Sequence, residues 1–398
     1  MLIYSTLLYT GLALQAAALG KQVYDITGRE IDIGWIGLVE FLPAAFLVLV
    51  TGMVADRFQR KKVAMLGIVG ELVSALALLF YARTNPTAVA PIFFITFLYG
   101  VSRAFIAPAA RSIWPMVAPP GGLPAVVALS SATWTGAAIL GPASSGLLYS
   151  VDPWVAYAVA SGLVTLSMFV LTRVRTGQAA TEENRERPTL KHALEGLQFV
   201  RRTPILLAAI SLDLFAVLFG GAIALLPVIA EEHLHVGDVA YGWLRAAAGI
   251  GAAGVALFLA FHPVRRNIGR LLFFVVATFG VATVVLGLTG SYLVAFIAVV
   301  VLSGADMVSV FVRGSIVPLV TPDEKRGRVS AVENVFIGAT NELGAFESGV
   351  AAQAFGTPAT VIGGGIATLG IVGVWWFGFP ALRDIDQFSD LEAPENPS

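Results

Sequence analysis

Ser112-Ile113-Trp114-Pro115-Met116-Val117-Ala118-Pro119 returns as Ser315-Ile316-Val317-Pro318-Leu319-Val320-Thr321-Pro322, a shift of 203 residues (315 minus 112). Gly34-Trp35-Ile36 returns as Gly242-Trp243-Leu244 at a shift of 208 (242 minus 34). Both offsets are close to half of the 398-residue chain. A single Pro-flanked match in an apolar chain is ordinary coincidence. A second at nearly the same spacing points to an internal duplication.

Composition says where the two halves sit. Apolar residues make up 57% and charged residues 13% of the chain, against about 25% charged in a soluble domain. A bilayer core needs about 20 consecutive apolar residues. Twelve such stretches lie near 2–24, 34–55, 63–82, 91–110, 124–149, 154–172, 204–230, 240–261, 270–289, 291–312, 329–355 and 358–379. The expected fold is an all-α membrane protein with twelve transmembrane helices in two pseudo-symmetric six-helix bundles. These bundles would be residues 1–173 and 204–380, joined by a linker over 174–203 and followed by a tail over 381–398. Parallel repeats of this kind belong to secondary transporters, which hold substrate between the halves.

Basic residues set the orientation. With both ends in the cytoplasm, only Lys21, Arg29, Arg83 and Arg245 fall outside, and Arg103 falls within a span. The other 20 of the 25 Lys and Arg residues, Arg313 among them, then lie in inside loops. Such asymmetry is what the positive-inside rule requires of an even number of spans. No basic residue precedes Lys21, which favours a retained first helix over a signal peptide; a short missing N-terminal stub is the alternative. In the linker, Leu190, Ala193, Leu194, Leu197 and Val200 recur at helical spacing among charged residues. They predict an amphipathic helix, either a connector or a segment lying on the membrane surface. The tail is acidic and aperiodic, so it is expected to be disordered.

Several function classes are excluded. The chain has no cysteine and a net charge of −1, so thiol chemistry and a nucleic-acid partner are not expected. His233-x-His235 with Glu231, Glu232 and Asp238 is weakly spaced for a metal and reads as a solvated loop. No phosphate-binding loop is present, and no cofactor or metal is expected.

Gly52-Met53-Val54-Ala55-Asp56-Arg57-Phe58-Gln59-Arg60-Lys61-Lys62 joins the second and third stretches. It resembles the cytoplasmic signature loop of the major facilitator superfamily, with Gln59 in place of the usual glycine. The resemblance implies a cytoplasmic gate at Gly52, Asp56, Arg57, Arg60, Lys61 and Lys62. The equivalent second-half loop, His262 to Arg270, keeps Arg265 and Arg266 but has no matching Asp. In the fifth stretch, Gly136-x4-Gly141-Pro142-x2-Ser145-Gly146 resembles the motif of the exporting, antiporter branches. Ordinary small-residue packing is the alternative. Further stretches, such as Ala18 to Thr27, Leu212 to Phe215, Thr321 to Val329 and Asn341 to Gly349, look like the drug:proton antiporter and enterobactin-exporter branch. The resemblance implies a bacterial inner (plasma) membrane and a monomer exporting a small molecule in exchange for protons. The open alternatives are export of a siderophore or other metabolite, and a membrane-embedded enzyme or scaffold.

Ionisable groups inside spans are the candidate machinery, because a charge at mid-membrane costs about 2.5–3.5 kcal/mol on insertion scales. The candidates for proton coupling are Asp213, then Glu347 and Glu342, then Asp306, with Glu40 and Glu71 last; Glu71 alternatively bridges helices. Arg103 and Asp306 differ by the repeat offset of 203. Arg103 is therefore expected either to pair switchably with Asp306 or Asp213, or to tie helices together. Glu342 and Glu347 are five apart, about 140° around a helix, so only one faces a cavity squarely. Phe41, Phe46, Trp134, Phe215, Phe219, Phe336 and Phe346, with Asn334 and Asn341, are candidates to line a cavity for a lipophilic substrate.

Overall fold

The computed structural model describes residues 1–116, 122–174 and 190–391. The end of the first octapeptide copy, the polar linker stretch over 177–188 and the last seven residues lie outside the described residues.

Fifteen α-helices and no strand are found among the described residues. In the first part of the chain these are α1 (Leu2–Thr27), α2 (Glu30–Arg57), α3 (Arg60–Ala82), α4 (Ala90–Met116), α5 (Leu123–Tyr149) and α6 (Pro153–Arg173). After the linker come α7 (Leu190–Arg202), α8 (Pro204–Phe219), the short α9 (Leu226–Val228), α10 (Asp238–Phe261) and α11 (Ile268–Leu288). The chain ends with α12 (Tyr292–Val320), α13 (Asp323–Phe355), α14 (Thr357–Gly378) and the short α15 (Pro380–Arg383). In hydrocarbon every backbone N–H and C=O must be satisfied within the segment, so long apolar runs become helices. Local signals set their ends. Gly28 closes α1 in the left-handed region at φ 57°, where a side chain would be strained. Asp152 accepts from the Trp154 N–H at 3.3 Å, with Pro153 opening α6.

Nine helical segments among the described residues are long and apolar enough to cross a membrane. One of them, Pro204–His233, is broken: α8 gives way to a 3₁₀ turn at Gly221–Ile223, then α9, then a π turn at Ile229–His233. Phe46, Leu66, Phe80, Phe355 and Phe377 are among the large apolar side chains left exposed, which suits a surface facing acyl chains.

The chain forms two compact units. The first comprises Met1–Pro188 with Leu226–Gly249, and the second Thr189–Leu225 with Ile250–Ser398. In the first, α1 packs on α5 and α6, and α4 packs on α2 and α3. Its core holds Leu14, Val23, Leu78, Ile92 and Tyr157 towards one end, and Tyr4, Leu8, Ile68, Ile113 and Leu171 towards the other. In the second, α11 packs on α12 and α14, and α13 packs on α8 and α7.

The tail differs from expectation. Residues 380–391 are ordered, with Leu382, Ile385 and Leu391 buried. The Gly269 N–H donates to the Ile385 carbonyl at 3.0 Å, and the Asn267 N–H donates to Asp386 Oδ1 at 2.9 Å. That second bond, with Arg266 nearby, holds the Asp386 carboxyl below the usual carboxylate range. Three widely spaced apolar residues anchor the segment, a pattern too sparse to register as periodicity.

Candidate functional site

The second unit buries a charge cluster. Arg313 on α12 places Nη2 2.8 Å from Asp213 Oδ1 on α8, and Nη1 3.8 Å from Glu333 Oε1 on α13. Ser309 donates to Asp213 Oδ1 at 3.2 Å. Asp306, Ser309 and Arg313 stand three and seven residues apart on one helix, so they share its face. Asp213 and Asp306 both line a cavity of about 10 Å³, closed by Ala216, Val276 and Phe279. That is room for about one water molecule. The Arg313 side chain is 4% exposed, and its Nε has no partner among the described residues.

Electrostatics constrains this group. Asp213 and Glu333 share the Arg313 guanidinium, and Asp306 lines the same small cavity as Asp213, for a formal charge of −2 (1 minus 3) if all three acids ionise. Like charges in a weakly screened interior repel strongly. Proton uptake by at least one acid relieves that repulsion.

Arg313 corrects the sequence reading, which put it in an inside loop. α12 continues to Val320, eight residues past the boundary drawn at 312. Hydropathy falls where the guanidinium occurs, but the helix does not end there. Glu333 was not singled out either. Nothing local distinguishes it from other acids of α13.

In the first unit Arg103 on α4 is ion-paired with Glu40 on α2. Arg103 and Asp213 thus each have a countercharge on their own unit, which the 203-residue offset did not reveal. Glu71 is fully buried on α3, and Gln15 of α1 donates to its Oε1 at 3.2 Å. This matches the helix-bridging alternative for Glu71. Glu342 and Glu347 are half-buried on α13.

A second ionic group was missed. Lys21 contacts Asp25, Glu231 at 2.8 Å and Asp238 at 3.5 Å. Tyr149 donates to Asp25 at 2.7 Å, and Tyr24 donates to Glu232. Only the four-residue spacing of Lys21 and Asp25 is a sequence signal. Glu231 is 210 residues away.

The signature loop is partly visible. Gly52, Asp56 and Arg57 end α2, and Arg60, Lys61 and Lys62 begin α3. Lys61 Nζ donates to the Thr172 and Val174 carbonyls at 3.0 and 2.7 Å. A cation is favoured there by the carbonyl end of α6. In the exporter-like motif, a methyl group built on Gly141 would fall 2.9 Å from Leu14 N of α1. One on Gly146 would fall 2.7 Å from Gly242 Cα of α10. Pro142 lies between them, buried. Gly136 has nothing within 4 Å.

The aromatic candidates are divided between the two units. Phe215 stacks edge-on against Trp375 at 5.4 Å, and Trp134 against Tyr9 at 5.2 Å. Phe46 is exposed, while Phe41, Phe219, Phe336 and Phe346 are half-buried. Asn334 donates to Ser330 of its own helix, and Asn341 is exposed. Among the described residues no group of three or more potential metal ligands occurs.

A chain of long apolar helices that keeps ion pairs and carboxylates inside its units is built as a membrane transporter. Comparison with known proteins makes the class specific. Residues 2–397 match the family described as transmembrane secretion effector, within the major facilitator superfamily. The chain belongs to that superfamily, whose members are transporters and not enzymes. It is 26% identical over 279 residues to the MFS-type transporter YfiS of Bacillus subtilis (strain 168). That alignment covers 67% of this chain and 64% of the relative's length. Among solved structures it resembles a D-xylose-proton symporter, with a TM-score of 0.75 at 12% identity over 96% of this chain and 98% of that one. It also resembles an inward-facing bacterial homologue of the human lysosomal transporter Spinster, with a TM-score of 0.71 at 14% identity over 99% of both chains. The likeness to both solved structures concerns the fold.

Proposed function

We propose that the chain is a twelve-span secondary transporter with both termini in the cytoplasm, exporting a lipophilic or amphiphilic small molecule by alternating access in exchange for protons. The observation that carries this reading is the set Asp213, Asp306, Glu333 and Arg313, in which the Asp213–Arg313 pair is buried and Asp306 and Glu333 are partly buried. With Asp213 ionised, the guanidinium ties α12 to α8. A proton on Asp213 releases that tie, and Glu333, already 3.8 Å away, becomes the better partner. The tie then runs from α12 to α13. One proton thereby changes which helices are held together, the kind of two-state element that coupling requires.

Export rather than uptake is supported by the close packing at Gly141 and Gly146, which fits small residues chosen to let helices approach. The test is dye or drug accumulation in everted membrane vesicles with and without an imposed pH gradient. Gradient-driven accumulation that disappears in Asp213→Asn is expected. Accumulation indifferent to the gradient refutes proton coupling.

A further inference from the structure

A second cavity in the second unit lies away from the carboxylates. It holds about 290 Å³, between Glu195, Gly196, Phe199 and Arg202 of α7 and Lys325 and Arg328 of α13. Its floor is a backbone contact, since a methyl group on Gly196 would fall 2.7 Å from the Arg328 carbonyl oxygen. Arg328 Nη1 donates to Glu195 Oε2 at 2.6 Å, and Lys325 Nζ sits 4.8 Å from the centre of the Phe199 ring. Three cations and one acid leave a net charge of +2 (3 minus 1) around the cavity. The acid is taken by Arg328, so Arg202 and Lys325 remain to meet an anion.

The place of this cavity in the fold indicates which anion. Arg202 comes two residues before α8 begins at Pro204, and Lys325 five residues after α12 ends at Val320. The cavity therefore lies where apolar helices meet water. Beside the cavity, Leu194 and Arg201 of α7 are exposed outside its lining, Leu194 by 58%, next to Arg202 at its edge. An exposed leucine beside two arginines on a short amphipathic helix fits the headgroup region of a bilayer.

We infer that this cavity binds a phosphate ester anion, presented by the headgroup of an anionic phospholipid, and that the bound headgroup clamps α7 onto α13. The guanidinium of Arg202 offers paired donors to phosphate oxygens, and the ammonium of Lys325 adds a point charge. This inference rests on the multi-span reading but not on which side of the bilayer the termini occupy.

The test uses the full chain in lipid nanodiscs, following hydrogen exchange in 190–202 and 323–332. Phosphatidylglycerol titrated into phosphatidylcholine should slow exchange in both segments. A cation at an anionic surface is worth about fivefold in affinity. Arg202→Gln with Lys325→Gln should therefore weaken binding about 25-fold, so that protection stays below half even in discs rich in phosphatidylglycerol, and Glu195→Gln should bring half-protection at a lower phosphatidylglycerol fraction. Inorganic phosphate added to pure phosphatidylcholine discs should leave exchange unchanged. Equal protection by inorganic phosphate alone would overturn the lipid source in favour of a soluble phosphate ester. Exchange that ignores phosphatidylglycerol, or responds equally in the double variant, would overturn the site. Orientation is read separately. The chain has no cysteine, so Arg201→Cys, outside the cavity lining, labelled by an impermeant maleimide on intact cells refutes cytoplasmic termini without touching the lipid result.

Discussion

Removing Arg313 leaves Asp213 buried without a countercharge. The Asp213 side chain is 11% exposed, and the Ser309 hydroxyl, donating to it at 3.2 Å, carries no charge to replace the guanidinium. Breaking one side of a buried pair costs about 3–5 kcal/mol, whereas replacing both sides with neutral groups of similar volume is close to neutral. Unfolding entropy of about 2.1 cal/mol/K per residue, over 398 residues, makes 1 kcal/mol worth about 1 °C in Tm. Arg313→Met should therefore lower Tm by about 4–6 °C. Asp213→Asn, which strands a guanidinium that Glu333 can partly accept at 3.8 Å, should lose less. The double variant should return to within about 1 °C of the parent. Thermal unfolding of the four proteins in one detergent, read as a double-mutant cycle, measures the coupling. Additive losses, or a silent Arg313→Met, would refute the claim that these side chains form one electrostatic unit.

Three further outcomes are expected. Gly146→Ala, which puts a methyl group 2.7 Å from Gly242 Cα, should destabilise by about 1–3 kcal/mol. Gly136→Ala, with nothing within 4 Å, should not, and equal Tm values for the two would refute the packing argument. Glu71 Oε2 and Gln15 Oε1 are both buried without partners among the described residues, so a neutral side chain that can donate suits the site better than a carboxylate. Glu71→Gln should keep Tm and transport while Glu71→Ala loses stability, and a severe defect in Glu71→Gln would return Glu71 to the coupling set. The folded-state pKa of Asp386 is depressed by the Asn267 N–H. Its contribution to tail docking is therefore present above the ordinary Asp value of about 4 and lost as pH falls through the lower folded value. Hydrogen exchange over 380–391 should stay slow from pH 7 to about 4 and speed up below, and protection unchanged down to pH 2 would contradict this.

Much of the architecture was legible because bilayer insertion is governed by one-dimensional properties. Run length, apolar content and the distribution of Lys and Arg are readable without knowing any contact. Helix ends were less legible where charge and helicity part company. The stretch drawn to end at 312 continues to Val320 because a buried acid on another helix compensates Arg313. Asp213 and Asp306 stood out as acids in apolar runs, and they do share one cavity. Arg103 stood out equally, and its ion pair with Glu40 ties α4 to α2, the helix-tie alternative for that residue. Repeats preserve helix position, whereas side-chain partners depend on the rotation and spacing of adjacent helices.

The amino-acid sequence by itself determined that this chain has repeated spans long and apolar enough for a membrane and that it bears ionisable groups inside them. Tertiary structure alone decided which of those charges meet. Arg313 with Asp213 and Glu333, Glu40 with Arg103, and Lys21 with Glu231 are pairs between helices from 20 to 210 residues apart. Insertion cost acts on each helix separately and can be summed along the chain. A countercharge acts within a few ångströms, and only packing brings two helices that close.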